Sequence, residues 1–304
     1  MSIPESILKA WAHQGSMATS GEVYKFINGT INSYTYGPSK IKPNVYIQGS
    51  YRNGTNIWSE SDIDIIVEVK EIFQQDLSFL PAEQQALKQG NSPTSNYDYF
   101  SFKQDVLNVL TKHFGSSNIE IGNKSIKVKT ISKKFPADVV PCFLHRRYLR
   151  YVGESDQRYI EGISFYLNHE GRWVTNFPNQ HYSNGFDKDG NFFSRTQGSY
   201  KPVVRLFKNL RTRLVENEAI SSKLAPSYFL ECLLFNVPDQ YFRGSFETIF
   251  LNIHNWFANV DATKFVCQNN LRYLFGNDRD SWDLSEAREL FQKLGLFWND
   301  WGKY

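Results

Sequence analysis

Cysteine is scarce in this chain: Cys142, Cys232 and Cys267 are the only three among 304 residues. An odd, scattered set without paired spacing excludes a disulfide framework and points to free thiols in a reducing compartment. Cys142 and His145 stand three apart, but further zinc ligands at suitable spacing are missing, so Cys142 reads as a buried thiol. Long apolar runs are lacking too, and Met1-Ser2-Ile3-Pro4-Glu5-Ser6 has neither the basic nor the apolar region of a signal peptide. A cytoplasmic protein with no membrane partner is therefore expected. Neither sign of charge dominates: 34 Lys and Arg face 31 Asp and Glu, for a net charge of +3. That admits a polyanionic ligand but argues against a protein that coats nucleic acid. Internal repeats and low-complexity tracts are also missing.

What is present describes an ordinary globular protein, 41% hydrophobic and 21% charged. Its length exceeds that at which single cores stop growing, so two lobes are expected. Aromatic residues reach 16%, with 24 Phe and 17 Tyr, most of them destined for the core.

The most informative stretch runs from Gly49-Ser50-Tyr51-Arg52-Asn53-Gly54-Thr55-Asn56-Ile57 into Ser61-Asp62-Ile63-Asp64-Ile65-Ile66-Val67. It joins a small-residue loop to a strand. Side chains alternate along a strand, so Asp62 and Asp64 share a face, about 6–7 Å apart along the chain. Paired carboxylates beside a Gly/Ser loop suit magnesium and phosphate, since loop N–H groups can approach phosphate oxygens and Mg2+ prefers oxygen ligands. Gly49 and Gly54 have the spacing of a Walker A loop, but Thr55 follows where Lys is required. A P-loop NTPase is thereby rejected in favour of a two-metal nucleotidyl transfer site.

Around this stretch the spacing predicts helices over 3–36, a short strand at Val45-Tyr46-Ile47, and a strand from Asp62 to Val69. Residues 71–98, with Pro81, Gly90 and Pro93, read as short helical pieces and a surface loop of open role. A helix over 102–114 and a hairpin joining Asn118–Ile121 to Ser125–Lys129 follow. In Phe135-Pro136-Ala137-Asp138-Val139-Val140-Pro141, an acid opens an apolar run. Burying it is costly unless it is paired or binds metal; a turn cap after Pro136 is the alternative. Residues 146–200 read as loops with aromatics, Asp187-Lys188-Asp189-Gly190-Asn191 as a tight turn, and His181 as a structural loop residue. Pro202 opens a helix with a stripe of Val203, Phe207, Leu210 and Leu214 beside a basic strip of Arg205, Lys208 and Arg211. Another begins at Ala225-Pro226-Ser227-Tyr228, and Tyr228 is equally readable as a core aromatic.

Gly49-Ser50 followed by Gly54-Thr55 and then Ser61-Asp62-Ile63-Asp64 resembles the DNA polymerase beta-like nucleotidyltransferase superfamily. More narrowly, it resembles the bacterial cGAS/DncV-like nucleotidyltransferases, which make nucleotide second messengers in anti-phage defence. The resemblance implies an α+β fold: a mixed-sheet palm flanked by helices (1–198) packed on a carboxyl-terminal helical lobe (199–304), with nucleotides in the cleft between. By position, Asp138 matches the third metal-binding carboxylate, within a similar Ala-Asp-Val-Val-Pro sequence. Asp62, Asp64 and Asp138 would then be catalytic and hold two Mg2+ ions, or Mn2+ in their place. Gly49 and Ser50 would hold the donor triphosphate, Lys208 and Ser227 would contact phosphate, and Tyr228 would stack on a base. Nucleoside triphosphates, ATP first, are the implied substrates, and a cyclic di- or trinucleotide the product, bound by a downstream effector. The zinc ribbon used for DNA sensing by the animal enzymes has no counterpart, so activation by nucleic acid is not expected. A template-independent RNA or tRNA nucleotidyltransferase, or a sensor that has lost catalysis, are the competing readings.

Overall fold

A computed structural model describes residues 3–15, 18–58, 62–91, 95–129, 136–190 and 195–303. Its first half contains α1 (Glu5–Ala12), α2 (Ala18–Asn32), β1 (Asn44–Ile47), α3 (Gly49–Asn53), β2 (Ile63–Asp76), α4 (Ala82–Gly90), α5 (Tyr99–Phe114), β3 (Ile119–Ile121) and β4 (Ile126–Val128). The second half contains β5 (Ala137–Gly153), β6 (Asp156–Leu167), β7 (Arg172–Asn176), α6 (Pro178–Asp189), α7 (Tyr200–Glu216), α8 (Ser227–Phe235), α9 (Phe246–Asn259) and α10 (Leu284–Asn299).

Packing divides the chain into two compact units. One comprises Met17–Tyr51 and Ser61–Asn179; the other comprises Met1–Ser16, Arg52–Glu60 and Gln180–Tyr304. A single cut after residue 198 does not produce this grouping. Leu8 and Ala12 of α1 are buried in one apolar cluster with Val203 and Phe207 of α7 and with Phe250 and Ile253 of α9, so the amino-terminal helix joins the helical unit.

The sheet unit carries strands in the order β1-β2-β5-β4-β3, with β6 paired to β5 and β7 to β6. Among the described strands, β2 and β5 pair in parallel and the other pairs are antiparallel. Alternation along β2 decides its faces: Ile63, Ile65 and Val67 are fully buried with Val23 and Ile27 of α2 and Phe102 and Val106 of α5. Asp64, Ile66 and Glu68 therefore take the opposite face. The helix α5 starts where Asp98 accepts a hydrogen bond from the Ser101 N–H at 2.8 Å, a side-chain cap that the sequence places just before the apolar stripe.

The expected helices over 3–36, the strand at 45–47 and the hairpin at 119–128 are present. The segment 146–200 is not loop: β5, β6, β7 and α6 fill most of it. Its alternation is masked by register shifts between Tyr148 and Arg150 and between Tyr151 and Gly153, and by arginines that are paired with acids along the sheet. Arg147 pairs with Asp76 at 3.0 Å and Arg150 with Asp156 at 2.8 Å. β2 likewise continues past Val69 to Asp76, through an irregularity between Val69 and Phe73. Asp187-Lys188-Asp189 closes α6 instead of forming a tight turn, and Lys188 is buried there, donating to the Val237 carbonyl at 2.7 Å. Ser61, Pro93, Phe135, Asn191, Phe192 and Phe193 lie outside the described residues.

The close approach at Gly162 gives a direct check on the β6 and β7 register. A Cβ there would sit 2.5 Å from the Asn176 carbonyl oxygen and 2.9 Å from the Phe177 ring. Gly162→Ala should therefore destabilise the protein by about 1–3 kcal/mol, the range for overpacking, read as a lower midpoint in urea.

Candidate active site

The acids belong to the sheet unit. Asp64 on β2 and Asp138 on β5 are direct partners across a parallel pair, and Asp138 is in turn opposite Lys127 on β4. In-register residues on neighbouring strands project from the same face about 5 Å apart, so two carboxylates and an ammonium group are set side by side. Asp62, one residue before β2, has the same parity as Asp64. Its carboxylate is bonded by Lys127 at 2.8 Å, while Asp64 is bonded by Lys124 at 3.2 Å. The face of Lys127, readable as merely solvated from the sequence, is thus engaged with the acids.

Asp138 is half-buried, and its carboxyl is pushed above the ordinary carboxylate range. Burial is the main cause, followed by repulsion from Asp64; Lys124 and Lys127 oppose the shift without cancelling it. This is a cluster short of positive charge. Among the described residues no three His, Cys, Asp or Glu side chains form a ready metal site. The donor chemistry nonetheless fits a hard cation: three carboxylates, no thiolate and no imidazole, with lysines supplying the charge that a cation would supply.

Gly49 sits against these acids. Its φ is +70°, in the left-handed region, and a Cβ would overlap the Asp64 carboxylate oxygen. Glycine is required on both counts. Ser50 follows as the second residue of α3, half-buried.

The remaining expected residues belong to the helical unit. Lys208 of α7 is only 1% exposed. Its ammonium donates to the Thr55 carbonyl at 3.1 Å and pairs with Glu231 of α8 at 3.4 Å. The basic strip is not solvated: Arg205 donates to the carbonyls of Ala12 and Gly54, and Arg211 to those of Ser222 and Leu224. Ser227 opens α8, half-buried, and Tyr228 beside it is 41% exposed, which excludes the reading as a core aromatic. Its ring stacks on His181, with centroids 4.9 Å apart and planes at 24°, and lies 5.7 Å from Trp282.

Glu231, His181, Asn53 and Thr55 form a group that carried no assigned role in the sequence. Glu231 is 3% exposed, yet its carboxyl is held down to about 2. Burial alone would raise it; the Lys208 charge and hydrogen bonds from His181 and Thr55 outweigh that effect. A lone acid inside Phe229-Leu230-Glu231-Cys232-Leu233 was the available signal, by the same cost of burial that singles out Asp138. His181 lies on α6, not in a loop. A separate cavity of about 680 Å³ in the sheet unit, lined by Lys40, Lys42, Tyr97, Tyr99 and Trp173 among others, contains none of the expected site residues.

A mixed sheet bearing carboxylates on neighbouring strands beside a Gly-Ser turn, with a separate helical unit, fits the expected polymerase beta-like palm and helical lobe. Residues 183–299 match the family model of the cGAS/DncV-like nucleotidyltransferase C-terminal helical domain. The chain is 41% identical to the cyclic UMP-AMP synthase of Rhodothermus marinus over 303 residues, covering 100% of both chains. It is 38% identical over 309 residues to the cyclic nucleotide synthase CdnE01 of Staphylococcus haemolyticus, covering 99% of this chain and 100% of that one. The structure of the Rhodothermus marinus synthase with Apcpp and Upnpp matches with a TM-score of 0.87, covering 99% of this chain and 98% of the other. The chain belongs to the cGAS/DncV-like nucleotidyltransferases.

Two substitutions test the geometry. Gly49→Ala should leave the protein folded while lowering nucleotidyl transfer at least about a hundredfold, because a 1 Å displacement of reacting groups already costs that much. Asp138→Asn should raise the thermal midpoint in metal-free buffer near pH 7.5. A carboxyl whose folded pKa is raised favours the fold only below its unfolded pKa and loses that contribution as pH rises through the folded value, so removing its charge relieves repulsion. Added millimolar Mg2+ should narrow the difference by stabilising the native protein that binds it.

Proposed function

We propose that this protein joins two or three ribonucleoside triphosphates into a cyclic oligonucleotide messenger that a separate effector reads in anti-phage signalling. The observation that carries this reading is the in-register pair Asp64 and Asp138 beside Gly49, in a chain similar along its whole length to a cyclic UMP-AMP synthase. ATP is the first substrate to test. UTP is the natural second, given the name of that relative and the analogues in its structure. Other relatives are named for dipyrimidine, dipurine and GMP-AMP products. Base choice therefore varies within the family and has to be measured.

Asp62, Asp64 and Asp138 would hold two Mg2+ ions, or Mn2+. When bound, the ions acidify the attacking hydroxyl and neutralise charge on the transferred and leaving phosphates. In each transfer a ribose hydroxyl oxygen of the acceptor bonds to the α-phosphorus of the donor, and the bond to pyrophosphate breaks. Ser50 and the backbone of the Gly49 turn would hold the donor triphosphate, with Ser227 as a further phosphate contact. Lys208 would add positive charge beneath the loop it supports through Thr55. The exposed ring of Tyr228 supports a role as a stacking platform for a base. Lys124 and Lys127 compensate the acids and would yield them to the cations. A last transfer, with the linear intermediate turned around, closes the ring.

The test is incubation with all four ribonucleoside triphosphates and Mg2+ or Mn2+, phosphatase treatment and mass spectrometry, with Asp62→Asn/Asp64→Asn as the blank. A phosphatase-resistant cyclic product absent from the blank is expected, and its mass names the bases. Linear tails, or product formed only with added RNA, would instead establish the RNA-tailing reading; no product under any condition would favour a silent sensor.

A further inference from the structure

We infer that Glu231 is a positioning residue that holds the second half of the glycine loop and the Tyr228 ring in their nucleotide-binding arrangement. The inference rests on the reading of that loop and ring as the triphosphate and base contacts.

Glu231 has both carboxylate oxygens filled. Oε1 accepts from Thr55 Oγ1 at 2.6 Å and faces Lys208 Nζ at 3.4 Å; Oε2 accepts from Asn53 Nδ2 at 3.0 Å and from His181 Nε2 at 2.9 Å. These partners come from the loop, from α6 and from α7. Tyr200 donates to the Glu231 backbone carbonyl at 2.8 Å and so ties the same turn of α8. The loop is gripped again through its own carbonyls, Thr55 by Lys208 and Gly54 by Arg205.

Helix packing alone does not call for this arrangement. α7 and α8 already share the apolar cluster of Val203, Phe207, Phe229 and Leu230, and a buried ion pair is a poor substitute for apolar packing of equal volume. Arg52-Asn53-Gly54-Thr55-Asn56, by contrast, has no apolar side chain with which to anchor itself. A buried carboxylate with four donors can fix such a segment, and it does so stiffly, because each unmade bond in the interior costs the full desolvation of its group.

The same carboxylate sets the base platform. An ionised Glu231 requires Nε2 of His181 to donate, which fixes the imidazole ring in the plane where its face meets Tyr228 at 24°. One side chain thus determines the loop at Asn53 to Thr55 and, through His181, the ring of Tyr228.

The experiment is calorimetric titration of the full chain with a non-hydrolysable ATP analogue in Mg2+, with near-ultraviolet circular dichroism to establish the fold of each variant. Glu231→Gln keeps the shape but presents an NH2 group to a donor and removes the negative charge that faces Lys208. It should weaken binding at least tenfold. Thr55→Val, which removes one bond, should weaken binding in the same direction by less. Leu233→Ala on α8, buried and remote from the loop bonds, should lower the melting temperature with affinity held within twofold. If Glu231→Gln does not fold, Asn53→Ala and Thr55→Val carry the test, and native affinity in both overturns the inference. Binding by Glu231→Gln within twofold of wild type overturns it as well, as does an equal loss in Leu233→Ala. A wild-type protein that binds the analogue but yields no cyclic product refutes the proposed synthesis and leaves the comparison of affinities intact. Failure of the wild type to bind refutes both.

Discussion

The parallel pairing of β2 with β5 is the constraint on which the candidate site depends. Parallel strands in register bring Asp64 and Asp138 to the same level of one face, where two negative charges in a half-buried setting repel each other. Nothing in the pairing itself favours this; the backbone bonds and the apolar side chains of the other face hold the strands together regardless. The repulsion is offset by two lysines from the β3 and β4 region, Lys124 and Lys127. That compensation is made by flexible, partly exposed side chains. Gly49, with no Cβ, lets the chain return to within contact of Asp64.

The helical unit solves a different problem. The polar segment from Arg52 to Asn56 has no apolar side chain of its own to hold it. Glu231 provides that hold from inside α8, neutralised by Lys208 and stabilised as an anion despite complete burial. Arg205 and Arg211 use the same device, aiming guanidinium groups at backbone carbonyls. The cations of the basic strip therefore act on the protein's own chain. Lys208 belongs with them through its bond to Thr55.

Much of the candidate site was legible in the residues. Asp-x-Asp on a period-two pattern requires both acids on one face, and Gly49-Ser50, one residue beyond the apolar Val45-Tyr46-Ile47, marks the loop that follows the strand. Asp138 was conspicuous as an acid leading an apolar run. Less legible was the sheet beyond residue 146, because bulges break alternation and because paired arginines imitate a solvated loop.

By itself, the sequence determined the order of strand, glycine loop and acids, and its motifs carried the resemblance that pointed to the family, to a helical unit and to three candidate carboxylates. The order follows from local spacing and from residue types whose burial or backbone conformation is costly unless it has a purpose; the rest was implied by the resemblance. Only the tertiary structure decided that Asp138 faces Asp64 and Lys127, that α1 joins the helical unit, and that Lys208, His181, Asn53 and Thr55 meet at Glu231. Those are pairings between residues 11 to 178 positions apart. Periodicity carries information over a turn or a strand length, whereas register and the partner of a buried charge are settled only when the whole chain has packed.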